Sequence, residues 1–223
     1  MKTLLFSDTH LSHNFDRDLF DYIVKLVKSA DQVIINGDFW DAYMLSFDEF
    51  CNSKWKALFP LLKQKHAIYI FGNHDKKEFM DDKYSLFSEQ QFESYQFQSG
   101  DKLFIVSHGH FVSPAYDRIS FLKNPNRMVR SFYNNFLQLV NLPIAKQIFL
   151  LFEERVNVGH LEEIKTYIQQ NQKPNQIFIF GHSHIPELNL EQRLISTGPL
   201  QKHHKSYCII EDGIVEFFSK GSM

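Results

Sequence analysis

Thr3-Leu4-Leu5-Phe6-Ser7-Asp8-Thr9-His10 runs from a short apolar segment straight into a carboxylate and an imidazole two residues apart. An apolar run of this length, closed by polar residues, reads as a buried β-strand that ends in a ligand-bearing turn. The arrangement recurs four times. Residues 32–35 lead to Gly37-Asp38-Phe39-Trp40-Asp41, and residues 67–71 lead to Gly72-Asn73-His74-Asp75. Residues 103–106 lead to His108-Gly109-His110, and residues 176–180 to Gly181-His182-Ser183-His184. Together the clusters offer carboxylate, amide and imidazole donors in numbers sufficient for two metal ions, without a thiolate. Such a set suits Mn, Fe, Zn or Co rather than a structural zinc.

Between the clusters the pattern alternates. Residues 17–30 place Leu19, Phe20, Ile23, Leu26 and Val27 at helical spacing, and residues 47–62 are predicted helical, with Phe50, Leu58, Leu61 and Leu62 available to pack. Residues 95–97 and 103–106 flank Ser99-Gly100-Asp101, a hairpin signal. A helix is predicted over 161–170, and short strands over 187–190, 194–196, 207–210 and 214–218. Strand, polar ligand, helix is the order in which open α/β sheets place sites at strand carboxyl ends.

The intervals support this. Asp8 to Asp38 spans 30 residues, Asp38 to Asn73 35, and Asn73 to His108 35, each about one strand–helix unit. His108 to His182 spans 74. The excess, residues 111–157, is rich in Phe, Leu, Ile and Val with interleaved Arg118, Lys123, Arg127, Arg130, Lys146 and Arg155, and Pro114, Pro125 and Pro143 divide it. It reads as a helical cap inserted over the strand ends of a single domain covering residues 1–223.

Bulk properties set limits. A chain of 223 residues with 43% hydrophobic and 22% charged residues has ample material for a core. Its 23 Phe favour a Phe-rich core over an apolar cleft. A net charge of −2 gives no general attraction to polyanions, which counts against a nucleic-acid partner. Cys51 and Cys208 lie outside every cluster and read as small buried thiols in a reducing compartment. A cleavable leader would remove Asp8, so a cytoplasmic location is expected. No apolar run approaches the roughly 20 residues a spanning helix needs.

Asp8 and His10, two apart, would share one side of an extended segment and reach one ion, with His182 and His184 addressing neighbouring positions. Glycines 37, 72, 109 and 181 let the backbone turn beside the ligands. His13 and His66 read as surface residues, His160 as a helix-start residue, and His203 and His204 as loop residues near the rim. His110, two residues after a ligand, is a candidate for substrate contact.

The five motifs, D-x-H, GD-x-x-D, GNH-D, a histidine after the next strand, and GH-x-H, resemble in order the pattern of the calcineurin-like metallophosphoesterases. The resemblance covers nearly the whole chain except the insert. It implies an α/β fold, a four-layer αββα sandwich, and a centre of two divalent ions, with manganese preferred over iron, zinc and cobalt. Asp8, His10, Asp38 and His184 would hold one ion. Asp38, Asn73, His108 and His182 would hold the other, so that Asp38 bridges. His74 would face the leaving group as proton donor or charge stabiliser, oriented by Asp41. The implied reaction is attack of a metal-bridging hydroxide on phosphorus.

One branch, the UDP-2,3-diacylglucosamine hydrolases, carries a helical cap at the same place. The chain is similar in its Asp8-Thr9-His10-Leu11 opening and its apolar, arginine-containing insert. It departs where that branch usually has arginine for His74 and aspartate for His110. The expected substrate is a phosphorylated small molecule or a lipid-linked or nucleotide-sugar diphosphate, with His110, Arg118 and Arg127 as contacts and peripheral membrane contact through the cap. A broad phosphatase, a cyclic-nucleotide phosphodiesterase or a nuclease on the same centre is the alternative. A metal-binding scaffold with vestigial catalysis is the non-enzyme one, against which intact His74 and Asp41 argue.

Overall fold

Leu4 and Phe6 pack to one side of the first strand and Leu5 to the other, the period-two alternation of a strand buried on both faces. The computed structural model, which describes residues 1–114, 125–140 and 143–221, repeats this logic through two sheets. The first sheet contains β1 (Thr3–Phe6), β2 (Gln32–Asn36), β3 (Ile68–Ile70) and β4 (Gln90–Phe92). These four run parallel, and the sheet continues from β1 through β10 (His204–Glu211) to β11 (Ile214–Gly221), joined antiparallel. The second sheet has the order β5-β6-β7-β9-β8, formed by β5 (Ser94–Ser99), β6 (Lys102–Ser107), β7 (Gln176–Phe180), β8 (Glu187–Asn189) and β9 (Leu194–Ser196). Here β6, β7 and β9 are parallel, and β5 and β8 are antiparallel edges.

Three cores separate four layers. Leu5, Ile34, Ile68 and Ile70 of the first sheet meet Phe104, Val106, Ile177, Ile179 and Ile195 of the second. The outer face of the first sheet packs on α1 (Arg17–Lys28), α2 (Phe47–Asn52) and α3 (Phe59–Gln64) through Val33, Ile35, Ile23, Phe50 and Leu62. The outer face of the second, Phe178, Phe180 and Leu194, packs on Leu161, Ile164 and Ile168 of α5 (Pro143–Asn171). The fold is the αββα sandwich expected of the motifs. Most of the aromatic content serves the core: Phe39, Trp40, Phe50, Phe59, Tyr69 and Phe87 form one contiguous ring cluster.

Local chemistry accounts for the departures from the sequence reading. The helix expected over 47–62 is three pieces, because Ser53 adopts an extended backbone, ends α2, and caps a short 3₁₀ turn (Lys54–Leu58), while Pro60 restarts the chain as α3. Gln90–Phe92, too short and polar to show a pattern, adds an edge strand. The helix expected over 161–170 is the end of the 29-residue α5, which begins at Pro143 and passes residue 157 without a break. Before it, α4 (Arg127–Val140) leans on the loop after β2: Arg130 and Asn134 donate to the carbonyls of Ala42 and Met44. Among the described residues no helix is long and apolar enough to cross a membrane.

Phe104 is fully buried between the sheets. Phe104→Ala is expected to destabilise the fold by about 3–5 kcal/mol, read as a lower urea midpoint at unchanged slope; a loss below about 1 kcal/mol would contradict the inter-sheet core.

Candidate metal centre

The turns that follow β1, β2 and β3 in one sheet meet those that follow β6 and β7 in the other. Asp8, His10, Asp38, His182 and His184 all have positive φ, between 44° and 62°, and so account for five of the nine such non-glycine residues among those described. The left-handed region is unfavourable for side chains with a Cβ and persists only where surrounding structure enforces it. Asp8 and His10 therefore do not share one side of an extended segment. Their side chains converge because the chain coils beneath them.

Hydrogen bonds hold the coil. The main-chain N–H groups of Asp8, His10 and Leu11 donate to the carbonyls of Gly37, Asp38 and Phe39 at 3.1, 2.9 and 3.0 Å. Asp75, fully buried, accepts from the N–H groups of Asp38 (3.0 Å), Phe39 (2.6 Å) and Gly72 (2.7 Å) and so ties the second motif to the third. Burial and the neighbouring Asp38 push its carboxyl up to about 7. Asp75 was not among the expected site residues. Its signal was the acid that closes Gly72-Asn73-His74-Asp75.

Asp8, His10, Asp38 and His184 place donor atoms all within 4.8 Å of one another. His184 Nε2 lies 3.3 Å from Asp8 Oδ1 and 3.2 Å from His10 Nε2. Two ring nitrogens that face each other beside two carboxylates suit a shared cation. A second set adjoins it: His108 Nε2 is 3.3 Å from Asp38 Oδ2 and 3.2 Å from Asn73 Oδ1, with the His182 ring 5.3 Å from that of His108. His108 Nδ1 donates to the Asn36 carbonyl at 2.9 Å, and His182 Nε2 to the Ser113 carbonyl at 2.8 Å. Each bond orients its ring and leaves the other nitrogen free to face a metal ion. Asp38 touches both sets.

Electrostatics follow from the crowding. Burial opposes ionisation of Asp8 and Asp38, but the adjacent imidazoles outweigh it and hold both carboxyls below the usual range. The same carboxylates overcome burial to raise His108 to about 10, and Asp41 with Asp38 raises His74 to about 9. Burial and His108 depress His182. Divalent cations would take over the neutralising role beside Asp8 and Asp38 and release the proton of a ring that binds them, such as His108. His74 Nδ1 lies 3.2 Å from Asp41 Oδ1, while its main-chain N–H donates to Asp38 Oδ1 at 2.9 Å.

A cavity of about 260 Å³ opens over the centre, lined by His10, Asp38, Asp41, Asn73, His74, His182 and His184. Its outer wall is Tyr133 of α4 and Phe152, Glu153, Val156, Asn157 and His160 of α5, with Gln201 beside them. None of these outer residues was named as a site residue, since none lies in a motif, although Tyr133, Phe152, Glu153, Val156 and Asn157 fall in the 111–157 stretch expected to cover the strand ends. His160 is not at a helix start but deep within α5, and it is buried. His110 sits behind His108 in a separate cavity with Lys76, Lys77 and Glu93. Arg127 is exposed at the first turn of α4 and outside the central lining, and Arg118 lies outside the described residues. His203 and His204 line a neighbouring cavity that shares Glu153, Asn157, His184 and Gln201 with the central one. His13 and His66 are exposed; both cysteines are free thiols, Cys208 buried as expected and Cys51 only half-buried.

The model of the calcineurin-like phosphoesterase superfamily domain matches residues 1–211. The chain belongs to that superfamily. As a calcineurin-like phosphoesterase it is a metal-dependent hydrolase of phosphoesters. Among solved structures it is similar in fold to YfcE, a phosphoesterase from E. coli, at 15% identity over 96% of this chain and 91% of that one, with a TM-score of 0.53. Vps29 from Entamoeba histolytica, solved with Zn²⁺, matches at 14% identity over 98% of both chains and a TM-score of 0.46. No curated protein sequence matches the phosphoesterase.

A Cβ at residue 72 would stand 2.5 Å from the Asp38 main-chain nitrogen and 2.8 Å from Asp75 Oδ1. Gly72→Ala is therefore expected to displace Asp38 and lower Mn²⁺ affinity by at least about tenfold in calorimetric titration. Wild-type affinity in that variant would contradict the packing described.

Proposed function

We propose that this phosphoesterase works with two divalent ions and that Asp38 is the ligand they share. The observation that supports this reading is the position of Asp38 Oδ2, 3.3 Å from His108 Nε2 and 3.6 Å from His10 Nε2; Asp8 Oδ1 stands farther from His108 Nε2, at 4.0 Å. When bound, such a pair of ions neutralises phosphoryl oxygens and acidifies the attacking water. Manganese is the preferred metal, since oxygen and imidazole donors without sulfur suit it.

His74 holds a proton over the same cavity. Asp41 accepts from its Nδ1 and fixes the ring direction, while Asp41 and Asp38 hold the ring as an imidazolium, so that Nε2 also carries a proton that can be passed to a departing oxygen. Tyr43 meets the ring edge-on at 5.0 Å between centroids and limits its rotation. The role proposed is general-acid or charge stabilisation at the leaving group rather than metal binding, although His10, Asp41 and His74 also bring donor atoms within 4.8 Å of one another.

Two substrate readings have separate support. Met128, Phe132, Ile148, Leu151 and Phe152 on α4 and α5 are exposed beside Arg127 and Arg155, a surface suited to a lipid-linked diphosphate and to peripheral membrane contact. The cavity itself favours a smaller ester. It is modest in volume, its described lining holds neither lysine nor arginine, and Glu153 at its wall repels additional phosphates. We favour the small phosphomonoester or diester, with a nucleotide-sugar or lipid-linked diphosphate as the second reading. A polymeric nucleic acid is disfavoured because α4 and α5 wall the cavity. The free thiols, in different layers, fit a reducing, cytoplasmic setting.

Purified protein with Mn²⁺ is expected to hydrolyse bis-p-nitrophenyl phosphate or p-nitrophenyl phosphate, and EDTA to abolish turnover. Inertness of the metal-loaded protein on both, and on a panel of sugar phosphates and nucleotide-sugar diphosphates, would defeat the reading. His74→Ala should keep its metal content and lose about 10²–10⁴ in turnover. Loss of metal from that variant would show His74 to be a ligand instead.

A further inference from the structure

We infer that His160 and Ser113 are positioning residues for the second metal site, tying the cavity-wall helix α5 to the ligand His182. The inference rests on the two-ion reading and extends it to residues outside every motif. Three contacts carry it. His182 Nε2 donates to the Ser113 carbonyl at 2.8 Å. The Ser113 hydroxyl shares a hydrogen bond of 2.5 Å with His160 Nδ1. The His160 ring lies against the His182 ring at 4.5 Å between centroids and 38° between planes. Both supporting side chains are buried, Ser113 at 3% and His160 at 9% exposure.

A metal-bound imidazole depends on what its other nitrogen donates to, because that partner sets tautomer and ring direction. Here the partner is a main-chain carbonyl on a turn, and a turn is a poor anchor unless it is itself held. Ser113 N and Val112 N both donate to the Gly109 carbonyl, so the turn is continuous with the ligand His108. His160 pins the other end of this turn to a rigid helix. The same face of α5 carries Glu153, Val156 and Asn157 into the cavity, at the three- and four-residue spacings that align along a helix. One helix thus both walls the substrate cavity and orients a ligand.

The test is Mn²⁺ titration of the metal-stripped full chain by calorimetry, with thermal unfolding run beside it. Wild type should bind two ions. Ser113→Ala, a small change that leaves the carbonyl in place, and His160→Ala should each weaken one ion by about 10–100-fold and leave the other unchanged. His160→Gln, which can keep a bond to the Ser113 hydroxyl, should recover part of the loss. Two ions at wild-type affinity in Ser113→Ala and His160→Ala would overturn the inference, whatever their unfolding temperatures, and so would equal weakening of both ions. Wild type that binds no Mn²⁺ would overturn the two-ion reading and this inference with it.

Discussion

Asp8 and Asp38 are buried carboxylates at 0% and 1% exposure, and the cationic partners they have among the described residues are imidazoles. An anion removed from water costs several kcal/mol unless it is paired and hydrogen-bonded. Protonated histidines can meet part of that need; metal ions would meet it better, because one ion serves several donors. The remaining architecture is a means of holding these carboxylates, and the rings around them, in a place that water would not choose.

The sandwich supplies the rigidity. Left-handed backbone at five candidate ligand residues costs on the order of 1–3 kcal/mol each, and well-packed strands on either side sustain it. The first sheet delivers Asp8, Asp38 and Asn73 from adjacent parallel strands, and the second delivers His108 and His182 from another adjacent pair. The centre lies where the ends of the two sheets meet. Glycine at 37 is required there, since its φ is +81° and any Cβ would strike the His108 ring. Asp75 binds the loops of β2 and β3 into one hydrogen-bonded unit.

Much of this was legible in the chain because strand and ligand are adjacent in sequence. Apolar runs ending in Asp8, Asp38, Asn73, His108 and His182 correspond one for one to β1, β2, β3, β6 and β7. What was not legible depends on contacts between distant segments. Nothing local marks the division into two sheets, and Gln90–Phe92 has no alternation to reveal it. The convergence of Asp8 and His10 was expected for the wrong reason: Asp and His are enriched among left-handed residues, but most of them are not left-handed, so residue type alone does not mark a positive φ. His160 looked like a helix-start residue because the apolar periodicity was read from Leu161 onward. Its partner, Ser113, lies 47 residues away across the stretched interval. The outer cavity wall, from Tyr133 to His160, belongs to that interval and carries no motif, so it is also where substrate preference is least readable.

The central claim is that one carboxylate serves two ions. Equilibrium dialysis of Asp38→Ala and Asp8→Ala against Mn²⁺, with metal counted per folded chain, tests it directly. The account predicts that Asp8→Ala keeps one ion while Asp38→Ala keeps neither. Retention of one tightly held ion by Asp38→Ala would show that the two donor sets are independent and would contradict the shared centre.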